Sequence, residues 1–554
     1  MFTRSIITRL TLALIIGVAA LLLVTSITAT AATTASAIAR PQADLSVNPG
    51  ESIQAAIDAA NDGDTILVNA GDYTESLTLS KPVSLTGVNS DTTIIHAMPN
   101  QRVLTVTGAT ITNSVVISGL TFTGGQSDIG AGLFITDSAQ PIIHSIIATH
   151  NRATTRGGGL YTTEALTMTK SQFIDNLAFD FAGHPGYGGG VYAADQAQIA
   201  QSQFISNLSP YGAGMYAAHE VSVSATEFIS NFAMEGAGLN GAGEVSVFQG
   251  LFSGNFGSGG GGSAISAEQV LVVTGTRFVN NSTSEEGGAV FAYHGPVTMT
   301  QAQFTNNRTT FKSGGAVYVY SGRLHVSASQ FISNSAYANG GAIYANDTAD
   351  LINVSFISNT ALQSGGGLYA SEAVTLANVD FISNTALQYG GGAYISDTAI
   401  LIDTDFISNT ARQSGGGAYL AGSATMFDGR FEGNQTLSGD GGGMLSFSSP
   451  LELTGTIFIR NSAITGGGGG LVYGGSHARI VNALFSGNTN NMWGAAITTF
   501  PNSEMEILNS TITYPGSNPQ WAITNIGAEL HVTNTIITSH SLAIAGTYQR
   551  TTED

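Results

Sequence analysis

Asp380 and Asp405 stand 25 residues apart, as do Asp403 and Asp428, and Arg430 follows 25 residues after Asp405. If that interval is one turn of a repeating fold, the four aspartates and the arginine share one patch of surface. Stacked like charges destabilise a sheet unless a cation or the arginine offsets them. Carboxylate oxygens are hard ligands suited to Ca²⁺, so Asp380, Asp403, Asp405 and Asp428 are candidate metal ligands. Asp380, Asp403, Asp405 and Arg430 are the candidate catalytic set. The same residues also read as a solvated outer face carrying an Asp–Arg pair.

A second series is aromatic: Tyr161, Tyr192, Tyr216, Phe291, Tyr318, Tyr344, Tyr369, Tyr394, Tyr419 and Tyr473. The flanking residues trade volume, Ile343 with Ala345, Leu368 with Ala370, Ala393 with Ile395, as two inward positions sharing one core layer would. That parity turns the rings outward as a ladder. Tyr318, Tyr344, Tyr369, Tyr394 and Tyr419 are its candidate ligand-binding stretch, since exposed rings stack on sugars or anchor a protein. Rings that only shield the sheet would give the same pattern. A third candidate is the overlong segment Ala178–Pro185, a loop that brings Asp175, Asp180 and His184 within reach of one another.

The element that positions all of these is a repeat. Phe-x-x-Asn occurs thirteen times, from Phe173 to Phe485; the first two copies are 31 residues apart and the later ones 24 to 27. Between copies lies a glycine cluster, as in Gly390-Gly391-Gly392-Ala393-Tyr394. A fixed period of this size marks a solenoid. A coil of about 25 residues has no room for a helical crossover, so like strands stack in parallel about 4.8 Å apart. The expected fold is all-β, a single-stranded right-handed parallel β-helix of roughly 19–20 coils on the order of 90 Å long. Each coil is expected to hold three short strands; in one copy these are 392–395, 400–402 and 404–407. Phe stacks inside the core. Asn is expected at the bend, where it tolerates left-handed backbone and forms a polar ladder. Glycine makes the opposite bend.

Residues 1–39 read as an export signal: Arg4 and Arg9, an apolar run Leu10–Val24, then small-residue cleavage patterns. An uncleaved anchor fits the same run. Residues 40–50 read as a linker and 51–87 as an N-terminal cap with the first coils. The cap includes a one-faced helix built on Ile53, Ala56, Ile57 and Ala60, covering the open end. Residues 88–500 form the repeats and 501–554 irregular C-terminal coils and tail. The chain has 554 residues, a net charge of −20, three lysines and no cysteine. Such a surface argues against nucleic acid and anionic membranes, and no disulfide or thiolate metal site exists. No phosphate loop or zinc motif occurs.

Gly287-Gly288-Ala289-Val290, Gly314-Gly315-Ala316-Val317 and Gly340-Gly341-Ala342-Ile343, paired with Phe-x-x-Asn, resemble the passenger repeats of chlamydial polymorphic outer membrane proteins over residues 157 to 498. That resemblance implies a secreted, β-helical, adhesive protein. No C-terminal outer-membrane barrel follows the repeats in this sequence. Segment 51–87 looks like the opening of pectate-lyase-like β-helix proteins, a superfamily holding both enzymes and non-enzymes. By that resemblance the acidic patch would hold Ca²⁺ against an acidic sugar while Arg430 removes a proton. No Asp-Asp pair or Gly-His-Gly supports a polygalacturonase.

Three functions follow as expectations. The first is a secreted or cell-surface, non-enzymatic adhesin or scaffold that binds a polysaccharide or surface protein. The second is a Ca²⁺-dependent pectate-type lyase. The third is a surface-layer element associating end to end.

Overall fold

The computed structural model describes residues 44–179, 185–447, 450–464, 467–490, 494–514 and 521–547. The export segment, Asp180 and His184 lie outside the described residues. Every strand pairing among them is parallel, with each strand bonded to its counterpart in the next coil. Nineteen strands stack on the face that carries the tyrosines, from Leu77–Leu79 to Leu542–Thr547. The chain is a parallel β-helix, as the repeat requires.

A central coil shows how the residues close one turn. Ala393–Ile395 lies on the tyrosine face, Ala399–Ile407 on a long face, and Thr410–Ala411 on a short face before Ala418–Leu420 opens the next coil. The two strands expected at 400–402 and 404–407 are thus one strand. It is kinked at Asp403, whose φ is 47°. The remaining strand is a two-residue piece just after Asn409 that the hydrophobic pattern is too short to reveal.

The inward Phe side chains form one unbroken stack from Phe173 to Phe485, with ring centroids 4.5 to 5.3 Å apart. Beside it runs a buried asparagine ladder. The backbone N–H and Nδ2–H of Asn384 both donate to Oδ1 of Asn409, at 2.9 and 3.0 Å, and Nδ2–H also donates to the Phe356 carbonyl at 2.9 Å. The ladder therefore satisfies the backbone groups that a bend leaves unpaired. One expectation is corrected. The left-handed residue is not Asn but the one before it, such as Ser383 and Ser408 with φ of 56° and 55°. Asn keeps ordinary backbone and is selected for its amide.

The glycine cluster has three separate causes in one coil. Gly390 has φ of 62°. A methyl on Gly391 would strike the Gly416 carbonyl, and one on Gly392 would press the Phe406 ring. Only the first is a matter of turn conformation.

At the N-terminal end, β1 (Asp44–Val47), within the expected linker, pairs with Thr65–Val68 as the first strand of the long face. Helix α1 (Ile53–Ala59) buries Ile53 and Ile57. Glu75 accepts hydrogen bonds from the Ile53 and Gln54 amides at 2.8 and 3.1 Å. Lys81 Nζ donates to the carbonyls of Ile57, Asp58 and Ala60 at 3.3, 2.6 and 2.9 Å. An acid at the helix start and a lysine at its end complement the helix dipole, so α1 is held to the coil from both ends. Among the described residues no helix is long and apolar enough to cross a membrane.

Candidate functional site

The acidic series divides into two columns. Ser355, Asp380, Asp405 and Arg430 are register partners, one per coil, on outward positions of the long face. Asn353, Asn378, Asp403 and Asp428 form a separate column in which every residue has positive φ, from 47° to 60°. Asn and Asp tolerate that conformation better than other side-chain-bearing residues. Backbone geometry thus accounts for Asp403 and Asp428 at these bends. Asp175, the described member of the loop candidate, is likewise a bend residue with φ of 52°, 3.8 Å from His150.

Arg430 is engaged on both sides, by Asp405 at 2.9 Å and Glu432 at 3.0 Å, and Glu432 also pairs with Arg460. The charges alternate into a chain rather than converging on a point. Burial, with the neighbouring Asp405 charge, pushes the Asp380 carboxyl above its ordinary range, and Arg430 offsets this only in part. The four aspartates expected to share Ca²⁺ thus divide, Asp380 and Asp405 in one column and Asp403 and Asp428 in the other. Among the described residues no group of three or more histidines or acids is arranged to hold a metal ion.

The aromatic series does form a ladder. Tyr318, Tyr344, Tyr369, Tyr394 and Tyr419 stack with centroids 4.7 to 4.9 Å apart and interplanar angles of 2° to 11°. Their neighbours Ile343, Ala345, Leu368 and Ala370 are wholly buried, so the rings face outward, partly exposed. Burial raises the Tyr216 and Tyr419 phenols to about 12 and also raises that of Tyr318. The ladder begins earlier than the repeat suggested, at Phe134, which packs 5.6 Å from Tyr161. It is interrupted where Asn240 and Ser266 take the column positions between Tyr216 and Phe291. Tyr473 leaves the column. It pairs with Ser446 and is fully buried, while Val472 takes the outward place after Leu445. Leu471 fills the inward site there, so the local pattern is displaced by one residue.

A groove of about 460 Å³ was not foreseen. Asn100, Gln126, Ser127, Arg152, Leu177 and Phe179 line it, at the base of the overlong coil. Arg102 lies behind it, donating to Ser127 Oγ at 3.0 Å with its guanidinium 4.3 Å above the Phe134 ring. The signal was present in the sequence as the residue following each ladder asparagine, a column that changes from polar to apolar.

Residues 328–346 and 353–371 match the Chlamydia polymorphic membrane protein repeat. Each stretch contains one Phe-x-x-Asn and the glycine cluster after it. No curated protein matches the chain in sequence. Among solved structures, a PL6 family alginate lyase, AlyGC, is similar at 9% identity and a TM-score of 0.22, covering 90% of this chain and 100% of that one. A substituted form of that lyase is similar at 10% identity and a TM-score of 0.19, covering 90% and 78%. Overlaps this low carry no inference about chemistry. The chain is a parallel β-helix, two stretches of which, residues 328–346 and 353–371, match the Chlamydia polymorphic membrane protein repeat.

Proposed function

We propose that this protein is a bacterial cell-surface β-helix acting as a non-enzymatic binding scaffold, an adhesin for a surface polysaccharide or protein. The observation that carries the reading is the five-ring stretch Tyr318 to Tyr419, a continuous outward aromatic strip on a rigid rod. Flat, pre-ordered rings lose little conformational freedom on binding. The polymorphic membrane protein repeats support an outer-surface location. Export through the segment 1–39 belongs to the same proposal.

The competing reading is a Ca²⁺-dependent lyase working through Asp380, Asp403, Asp405 and Arg430. The ion pairs of Arg430 with Asp405 and Glu432 favour a structural role for that column instead. Two assays separate the readings. Beads coated with the protein should be retained on cell layers or glycan surfaces. Pectate and alginate incubated with it, with and without Ca²⁺, should develop no unsaturated-product absorbance. Absorbance that disappears with Arg430→Ala would sink the scaffold reading in favour of the lyase.

A further inference from the structure

On the short face a second outward column runs along the rod, away from the tyrosines. Gln126, Arg152 and Leu177 are register partners. Leu177 bridges to Leu208 and Leu208 to Phe232, and Phe232 pairs with Phe256, their rings 5.3 Å apart. Leu208, Phe232 and Phe256 are 40%, 44% and 40% exposed, and Met234 beside them is 47% exposed. Interior aromatics in the same coils are fully buried, so this is an apolar ridge left uncovered. Beyond Phe256 the column continues through Ser282 to Arg308.

The ridge is thus bracketed by two arginines. Both are exposed, and neither has a carboxylate partner among the described residues. Arg323, Arg430, Arg460 and Arg479 are paired, whereas Arg277 and Arg412 are exposed without a carboxylate partner among the described residues, as Arg152 and Arg308 are. What sets Arg152 and Arg308 apart is that they stand in the same column as the ridge, one beyond each end of it. At the Arg152 end the column opens into the groove beside Phe179, where the Asn100 and Gln126 amides offer both donors and acceptors.

We propose that this stripe docks an extended segment of a partner protein, with an apolar centre and a carboxylate towards each end. Charge complementarity selects this occupant. A second copy of this chain is a poor occupant, because self-pairing sets arginine against arginine in either direction. Short sugars do not match four successive apolar positions. The backbone of each strand is already bonded along the rod, so recognition is by side chains rather than by strand addition. Six coil steps of about 4.8 Å correspond to an extended peptide of about nine residues. The site lies on a different face from the tyrosine strip and stands or falls independently of it.

The test is selection of a displayed nonapeptide library on the full chain. Enriched peptides should carry apolar centres with Asp or Glu near both ends. The double variant Arg152→Glu, Arg308→Glu should bind them about tenfold or more weaker and select lysine or arginine ends instead. Both side chains are exposed and unpaired, so circular dichroism should be unchanged. Phe232→Ser should weaken binding without altering the end-charge preference. The proposal is overturned by enrichment of peptides lacking acidic ends, by no enrichment at all, or by full binding to the double variant. Displacement of the selected peptides by trigalacturonate in EDTA would also overturn it, in favour of a saccharide groove.

Discussion

Two stacks of aromatic rings run along this rod, one within the core and one on its surface. The phenylalanine stack is inside and continuous over thirteen coils, and its column passes to Ala148 before Phe173 and to Ile512 after Phe485, both buried and apolar. The tyrosine stack is outside; it breaks at Asn240 and Ser266 and ends at Leu445. The spacing between rings is the same in both because the coil pitch sets it. Inside, a gap would be a cavity lined by the next two rings. Outside, a missing ring is replaced by a polar side chain and its neighbours, as where the Glu235 carboxylate accepts from Ser266 at 2.7 Å. Uniformity thus marks what the rod needs to stand, and variation marks where it is free to be specific.

Substitutions in the two stacks should separate them. Phe381→Ala empties a fully buried site between two stacked rings, and about 3–5 kcal/mol of local stability should be lost. Because solenoid coils unfold semi-independently, hydrogen exchange of the amides in that coil and its two neighbours is the suitable readout. Asn409→Ala should follow at about 2–4 kcal/mol. It strips the acceptor from two donors of Asn384 and the donor from the Phe381 carbonyl. A loss below 1 kcal/mol there would mean that the ladder is incidental. Tyr394→Ala should cost only about 1 kcal/mol, seen as a small shift in denaturant midpoint, because the ring, though stacked between Tyr369 and Tyr419, is partly exposed and leaves no enclosed cavity.

Titration sharpens the contrast further. The Tyr216 and Tyr419 phenols sit at about 12 in the fold but near 10 once unfolded. Between those values the unfolded chain has lost protons that the folded chain retains. Stability contributed by the ladder is therefore full below pH 10 and falls as pH rises towards 12. Phenolate absorbance should lag behind that of free tyrosine over this window. Coincident titration would show that the rings are not shielded. Asp380 gives the smallest effect. Its carboxyl is raised in the fold, so ionising it opposes folding at neutral pH and ceases to do so as pH falls below the carboxylate range. Asp380→Asn should stabilise by a few tenths of a kcal/mol at pH 7, given its partial exposure, and by nothing in acid. Thermal melts at both pH values would measure it.

Much of this was legible in the sequence, because a strict repeat converts chain position into columns. The period, the inward Phe, the outward Tyr and the capping helix over Ile53 and Ile57 all follow from spacing and parity. What was not legible depends on backbone conformation. Spacing makes Asp403 and Asp428 candidate ligands, and only the structure shows that their positive φ gives a backbone reason for Asp at these bends. Asn409 looks like a bend residue until its amide is found buried in the ladder. Tyr473 kept its residue type but lost its column through a one-residue displacement that only the pairing reveals. The groove is legible only in part: Arg152 and Leu177 each follow a ladder asparagine, but Asn151 stands outside the Phe-x-x-Asn motif and the coil after Leu177 is overlong.

The most direct measurement of the central claim is retention of protein-coated beads, comparing wild type with the double variant Tyr369→Ala, Tyr394→Ala at equal coating and unchanged circular dichroism. Loss of two adjacent rings from the middle of the strip is predicted to lower retention about tenfold or more with the rod intact. Undiminished retention would contradict the claim, and would leave the tyrosine stack, like the phenylalanine stack, as structure alone.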